Sequence, residues 1–449
     1  MTTPVSISVR PRRQAYEWYV VSLCMVAYIF SFIDRQILAL MIEPIKADLG
    51  LSDTQFSLLH GLAFSLFYAV MGWPIAYLAD RYSRPKIIAL GVVFWSLATA
   101  ACGLSKNFLQ MFLARIGVGV GEAALSPAAY SMFSDLFPKE KLGRAVAVYS
   151  IGSFVGGGLA FLVGGYVIDL LKDTRALSLP LLGEVKAWQL TFFIVGLPGA
   201  LVGLLIWLTV RDPQRRGLSH DASGQAKAPA AGDGVRFLGR HKATFACLYL
   251  GFSFYAMALY AMLSWTPALY MRKHGLDPVG TGYTLGAILL LANTTGVYCG
   301  GWLTDLLARR GHGDAAMRAG LIGALGMLVP VSLFALVEPL WLSLALLVPA
   351  MFFASFPMPA STAAMQHLAP NQVRAQVSAI FLLVSNLLAV GLGTTLVALI
   401  TDRAFGDPQA VGGSIAIVAS CASSLSVLLL WKGCASFRAS LAREGAQAA

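Results

Sequence analysis

The sequence predicts an all-α membrane protein: twelve transmembrane helices in two pseudo-symmetric six-helix bundles. Three observations carry this expectation. The 449 residues are 57% hydrophobic and only 12% charged, about half the charged fraction of a soluble domain, so most side chains must face lipid or one another. Apolar stretches long enough to cross about 30 Å of hydrocarbon recur along the whole chain. A pattern also repeats at half-chain distance: Gly72–Lys86 reads GWPIAYLADRYSRPK and Gly300–Arg310 reads GGWLTDLLARR, each an apolar helix end, then an acid, then basic residues. Asp80 and Asp305 stand 225 positions apart, and Arg144 in PKEKLGRAVAVYS stands 230 before Arg374 in PNQVRAQVSAI. Two matches at nearly one period indicate duplication of the whole fold, which in so apolar a chain points to a transporter built from two similar halves.

The spans fall at roughly 17–45, 55–79, 86–104, 108–134, 142–170 and 188–210 in a first half (1–210), and 242–271, 279–307, 316–337, 340–366, 373–401 and 412–434 in a second (242–449). Span five carries a thin face of Gly152, Gly156, Gly157, Gly158, Gly164 and Gly165, echoed by Gly391 and Gly393 in span eleven. Such faces allow close packing and sliding of helices. Pro357 and Pro359 are expected to bend span ten. Residues 171–187 read as a modest external excursion. The polar stretch 211–241, with DPQRRG and an Ala/Gly/Pro/Ser run, reads as a flexible linker between the halves. No segment alternates with period two for long enough to build barrel strands.

The net charge of +11 is topological. With the N-terminus inside, the expected cytoplasmic segments hold about three times as many Lys and Arg as the opposite side, where only Lys46, Lys106, Lys172, Arg175, Lys186, Arg272, Lys273 and Arg403 lie. That places both termini in the cytoplasm and argues against a nucleic-acid surface. The first apolar run is too long for a signal-peptide core and contains Asp34-Arg35. The six cysteines sit in or at the ends of spans without metal-ligand spacing, and no cofactor or metal is expected. The six histidines are scattered, and neither a phosphate-binding GxxxxGK[ST] loop nor a catalytic grouping is visible. The chain is therefore read as a carrier, not an enzyme, driven by a gradient, and as a monomer because two halves complete one cavity.

The loop AYLADRYSRPK, its copy GGWLTDLLARR, and Arg115 in LARIGVGVGEA resemble signatures of the major facilitator superfamily, with Ala76 and Ser83 where that family usually has Gly. Within it the first half is similar to the spinster group, through Phe32-Ile-Asp-Arg-Gln36, Ser52-Asp53 with Gln55-Phe56, Trp95-Ser96, and GVGVGEAALSP ending at Pro127. That resemblance implies alternating access and lysolipids or sphingolipid-derived amphiphiles as substrates. Organic-anion symporters share the span-one Asp-Arg pattern, so organic-anion symport and multidrug efflux are the alternatives.

Physically, a carboxylate beside the start of a neighbouring helix is held by unpaired N–H groups and the helix dipole. Asp80 is expected to meet the start of span eleven near Asn371 and Gln372, and Asp305 the start of span five near Leu142. Arg84 or Arg81 then pairs with Asp135, and Arg144 and Arg309 complete a cytoplasmic gate. The alternative is that these charges only cap helices and set topology.

Ionisable groups at mid-bilayer cost about 2.5–3.5 kcal/mol each on insertion scales and usually mark function. The first half has Asp34 and Arg35 in span one and Arg115 and Glu122 on one face of span four, with Glu43 and His60 nearer the outside; the second half offers only Asn293, Gln366 and Asn386. A cavity charged on one wall suits an amphiphile. Arg35 and Arg115 are expected to receive an anionic headgroup, with the tail along Phe252, Phe254, Tyr255, Trp265 and Tyr298. Glu122, then Asp34, is the expected proton carrier. The alternative is a pair of fixed ion pairs, Asp34–Arg115 and Arg35–Glu122, that only orient helices.

The charge bias makes one prediction. With the native cysteines replaced, a single cysteine at Ser223 should resist a membrane-impermeant maleimide in intact cells and label fully after lysis; labelling in intact cells would invert the orientation.

Overall fold

The computed structural model describes residues 11–172, 176–179, 183–215, 233–369 and 373–448. The first crossing is α1 (Pro11–Leu40), continued past Met41 by α2 (Ile42–Leu49). Pro44 has no N–H for the Leu40 carbonyl, which accounts for the break, and Gly50, at φ 63°, closes α2 in the left-handed region. In the second crossing α3 (Asp53–Ser57) runs through a π-helical turn (Leu58–Leu62) into α4 (Ala63–Arg81). Its start is a capping box: Ser52 Oγ accepts from Gln55 N and Gln55 Oε1 accepts from Ser52 N.

The third crossing is α5 (Arg84–Cys102). The fourth is α6 (Phe108–Glu122), capped by Asn107, and α7 (Leu125–Leu136). They part directly after Glu122, where Pro127 cannot donate to the Ala123 carbonyl. α8 (Lys139–Leu171) and α9 (Ala187–Thr209) complete the first half.

In the second half the crossings are α11 (Lys242–Arg272), α12 (Pro278–Arg309), α13 (Ala315–Leu333), α14 (Leu340–Ser355) with α15 (Met358–Leu368), then the eleventh, from α16 (Arg374–Asn386) through a π-helical stretch into α17 (Thr394–Leu399), and finally α18 (Val411–Ala448). The tenth crossing breaks at Pro357, as its prolines predict. Eleven of the twelve are apolar enough to cross a membrane by length and composition; α12 is long enough but is diluted by Asn293, Thr294 and Thr295.

Two segments differ from expectation. The 171–187 excursion carries an antiparallel hairpin, β1 (Ala176–Leu179) with β2 (Gly183–Lys186), in register Ala176 to Lys186. It is fastened to α2, because Asp48 receives Lys186 Nζ and Trp188 Nε1. The expected linker ends in a helix, α10 (Asp233–Arg240). Phe237 is buried against Phe245, and Gly234 N donates to Gln376 Oε1 at 2.7 Å, so this part of the stretch is packed. Residues 216–232 lie outside the described residues.

The halves meet along two seams. A Cβ on Gly158 would come within 2.7–2.9 Å of Leu290, and one on Gly282 within 2.8 Å of the Phe161 carbonyl, so glycines set how closely α8 and α12 approach. Gly152 and Gly156 of the same stretch instead face Met25, Ile29 and Phe32 of α1, and Gly157 faces open space. On the other seam the π-helical stretches 58–62 and 387–393 face each other, with Gly61 against Val390 and the adjoining Thr394.

At the face opposite the termini an ion cluster ties the halves. Arg272, at the end of α11, donates to both oxygens of Asp53 (2.6 and 2.8 Å) and to Glu43 Oε1 (2.7 Å), and Lys46 pairs with Asp53. Thr54 donates through N and Oγ1 to Asp402 at 2.7 and 2.6 Å. Asp53 is fully buried and the Arg272 side chain is 5% exposed.

Two outcomes follow. Gly158→Val should lower stability in detergent by about 1–3 kcal/mol through overpacking, whereas Gly157→Val stays near wild type; thermal melts compare them. Arg272→Gln, which strands Asp53, should open this face, so that a cysteine at the buried Ser57 reacts with impermeant maleimide at least several-fold faster; an unchanged rate would deny the cluster any part in closure.

Candidate functional site

The centre of the first half is an ion pair inside an aromatic cage. Arg35 projects from α1 and Glu122 ends α6; Arg35 Nη2 lies 2.5 Å from Glu122 Oε2, and Nε donates to the same oxygen at 2.6 Å. Ser31, one turn before Arg35, donates its hydroxyl to that oxygen at 2.5 Å. The guanidinium carbon lies 4.9, 4.3 and 5.2 Å from the ring centres of Phe32, Phe64 and Tyr68. Three π-faces around one desolvated cation stabilise it beyond its ion pair. Arg35 is 9% exposed and Glu122 2%.

Asp34 and Arg115 lie behind this pair, both buried. Arg115 does not bind the Asp34 carboxylate: its Nη1 donates to the Asp34 backbone carbonyl and its Nε to the Leu59 carbonyl, each at 3.3 Å. Leu59 sits in the π-helical turn, where the altered register changes which carbonyls are available. Of the two fixed pairs weighed from sequence, therefore, Arg35–Glu122 forms and Asp34–Arg115 does not. Neither oxygen of Asp34 has a hydrogen-bond partner among the described residues, and neither has Glu122 Oε1. Buried carboxyl oxygens without partners are uncommon and call for a functional account.

An aromatic wall continues from this centre. Tyr28 stacks on Tyr149 at 4.7 Å and 6°, Tyr130 meets Tyr149 edge-on at 5.4 Å, and Ser126 Oγ lies 2.7 Å from the Tyr149 hydroxyl. Tyr28, Ser31, Phe32 and Arg35 share one face of α1 at helical spacing, and Phe64 and Tyr68 repeat the device on α4. That helical spacing of rings is the signal the sequence holds for the cage, beside the more conspicuous charges.

The aromatics singled out in the second half behave differently. Phe252, Tyr255 and Trp265 are core residues. Tyr255 Oη donates to the Phe353 carbonyl and Trp265 Nε1 to the Thr394 carbonyl at 2.9 Å. Tyr298 is 76% exposed on the outer surface of α12. The tail path drawn from sequence along these residues is therefore corrected: four of the five are packed or face outward, and Phe254 alone is partly buried beside the core without such a bond.

The gate residues divide into one tight group and several open ones. Arg84, fully buried, pairs with Asp135 and with Asp212 at 2.8 Å, and donates to the carbonyls of Ser131 (3.2 Å) and Pro213 (2.6 Å). It thereby ties α5, α7 and the segment after α9. Arg81 lies over its own helix neighbour Tyr77 at 4.1 Å. Arg144, Asp305 and Arg309 are exposed, and among the described residues Arg309 donates only to the Asp305 backbone carbonyl, at 3.4 Å. The Asp80 side chain, Asn371 and Gln372 lie outside the described residues. Asp305 makes no polar contact with Leu142 or its neighbours among the described residues. No group of three His, Cys, Asp or Glu able to hold a metal occurs among the described residues.

The sequence profile of the Major Facilitator Superfamily matches residues 24–394. An MFS-type efflux pump of Mycolicibacterium smegmatis is 28% identical over 97% of this chain and 96% of its own. Protein spinster of Drosophila melanogaster is 28% identical over 66% of this chain, a region that makes up 47% of the fly protein. Among solved structures, a bacterial homolog of the human lysosomal transporter spinster, in an inward-facing and unoccupied conformation, superimposes with a TM-score of 0.77 at 28% identity, over 97% of this chain and 98% of that one. A match of the profile to most of the chain, with a full-length structural likeness, establishes that this multi-pass membrane protein belongs to the Major Facilitator Superfamily of transporters.

Proposed function

We propose that this transporter moves an amphiphile with an anionic headgroup, of the lysolipid or sphingolipid-phosphate kind, by alternating access coupled to protons. The carrying observation is the one-sided charge: Arg35 in its aromatic cage faces a second half whose spans hold no charged residue at mid-membrane depth. Arg35 receives the headgroup, and its fork of donors suits phosphate or carboxylate. Arg115, with donors already on two backbone carbonyls, lends field from behind.

An arriving anion competes with Glu122 for Arg35. Once displaced, Glu122 is a desolvated charge without its counter-ion, which a proton neutralises. Asp34, with both oxygens free of partners, is the second proton site. The ion cluster around Arg272 supports assigning this conformation as closed on the face opposite the termini. Residues 1–210 and 242–449 act as the two rocking halves, and the charge bias supports placing the termini in the cytoplasm.

Organic-anion symport is the second reading, favoured by a likeness to the probable L-galactonate transporter of Escherichia coli, 27% identical over 72% of this chain. Liposomes separate the two. With labelled lysophospholipids, sphingoid phosphates and galactonate offered with and without a pH gradient, wild type should accumulate an amphiphile only with the gradient. Glu122→Gln should lose gradient dependence, and Arg35→Lys should lose at least tenfold in uptake. Uptake of galactonate with no amphiphile movement would sink the first reading and sustain the second.

A further inference from the structure

A cavity of about 550 Å³ lies between α13 and α18 at the face that carries the termini, away from the central site. Its floor is Asp314, fully buried. Arg318 Nε donates to Asp314 Oδ1 at 2.8 Å, and Arg438 Nη1 stands 3.3 Å from Oδ2, which accepts no hydrogen bond. One buried acid thus holds two guanidinium groups side by side, with much of each exposed. Lys432 lines the same cavity, is exposed, and makes no ion pair among the described residues. The site sets three cations against one carboxylate.

Its depth is informative. α18 begins at Val411 on the opposite face, and at about 1.5 Å per residue Trp431 lies about 30 Å further on, where the hydrocarbon ends. Trp431 is 63% exposed and lines the cavity together with Leu321. An exposed Trp at that level is typical of the headgroup layer, and a basic pocket between helices there has the form of a phospholipid headgroup site.

We infer that this cavity binds an anionic membrane phospholipid. The phosphate sits among Arg318, Lys432 and Arg438, and the acyl chains leave past Leu321 and Trp431. The surplus of positive charge selects against zwitterionic headgroups, and the apolar side of the cavity selects against a soluble phosphate. The inference rests on the orientation proposed above only for the leaflet, and not on the transported substrate.

Native mass spectrometry of the purified full-length protein tests it, titrating phosphatidylglycerol, phosphatidylcholine and glycerol 3-phosphate separately. One phosphatidylglycerol should be retained at least tenfold more tightly than phosphatidylcholine, with no glycerol 3-phosphate bound at the same concentration. Lys432→Gln with Arg438→Gln should abolish that preference. Should that pair impair folding, the single variants Lys432→Glu and Trp431→Ala, which leave the Asp314 pairs intact, should each weaken retention several-fold. Equal retention of the two lipids, retention unchanged in Lys432→Glu, or glycerol 3-phosphate binding as tightly as the lipid would each overturn the inference.

Discussion

A guanidinium in the middle of a bilayer persists only where something takes up its charge, and Glu122 does this for Arg35. Much of the first half is arranged around that pair. α6 stops at Glu122 and α7 restarts after a two-residue break, which places the carboxylate at a helix end. Ser31 saturates the shared oxygen, and three rings close around the cation. Breaking such a pair by removing one partner is far more costly than never having built it. In the proposed cycle this is the source of coupling. An incoming anion can take Arg35 only if Glu122 is neutralised at nearly the same moment, so headgroup and proton enter as one electroneutral event.

The duplication is visible in the energetics as well as in the sequence. Arg84 and Asp314 are 230 positions apart, the same period as Arg144 and Arg374. Each is a fully buried charge near the start of the third helix of its half. The signs are reversed. The first half buries a cation between Asp135 and Asp212; the second buries an acid between Arg318 and Arg438. Both arrangements lash the third helix to the segment at or after the sixth. They differ in what is left over. Asp135 is buried against Arg84 and Asp212 is 29% exposed, whereas the arginines around Asp314 are 35% and 53% exposed. A duplicated clamp can therefore acquire a second use in one half only.

The twelve crossings were legible because hydrophobic length is nearly the whole rule in lipid, where backbone groups must be satisfied within each segment. The break in the tenth crossing was legible from Pro357 and Pro359; those at Pro44 and Pro127 have the same cause but lie within runs whose hydrophobicity reads as continuous. The π-helical turns were not, since nothing in LLHGL or LLAVGLG distinguishes them from ordinary helix; they arise where Gly61 must pass the backbone at Val390. At the site, Arg35, Asp34, Arg115 and Glu122 stood out because charge in an apolar span is rare. Pairing was harder to read. Arg115 takes backbone carbonyls instead of Asp34 because the π turn presents Leu59, a choice made by tertiary geometry. The cluster of Glu43, Lys46, Asp53 and Arg272 drew least notice, because each residue alone reads as an ordinary helix-end charge, and only the folding of four helix ends together makes it a clamp.

In the proposed cycle, that clamp and the residues of the duplicated loops form two ends of one balance. At the face opposite the termini the charges are matched and largely buried: Arg272 against Asp53 and the more exposed Glu43, with Lys46 added. At the terminus face Arg144, Asp305 and Arg309 stand in solvent. A buried ion pair roughly breaks even against hydration of its members, since desolvation offsets most of the Coulombic gain. Exchanging one matched set for another therefore leaves two conformations close in free energy. A carrier needs that closeness, because a ligand can drive a transition only by its difference in affinity for the two states. Apolar seams alone would serve poorly, because they would lock whichever face closed first. Matched charges at the ends and glycine-lined seams such as α8 against α12 between them give a fold that closes firmly on either side yet can leave either closure.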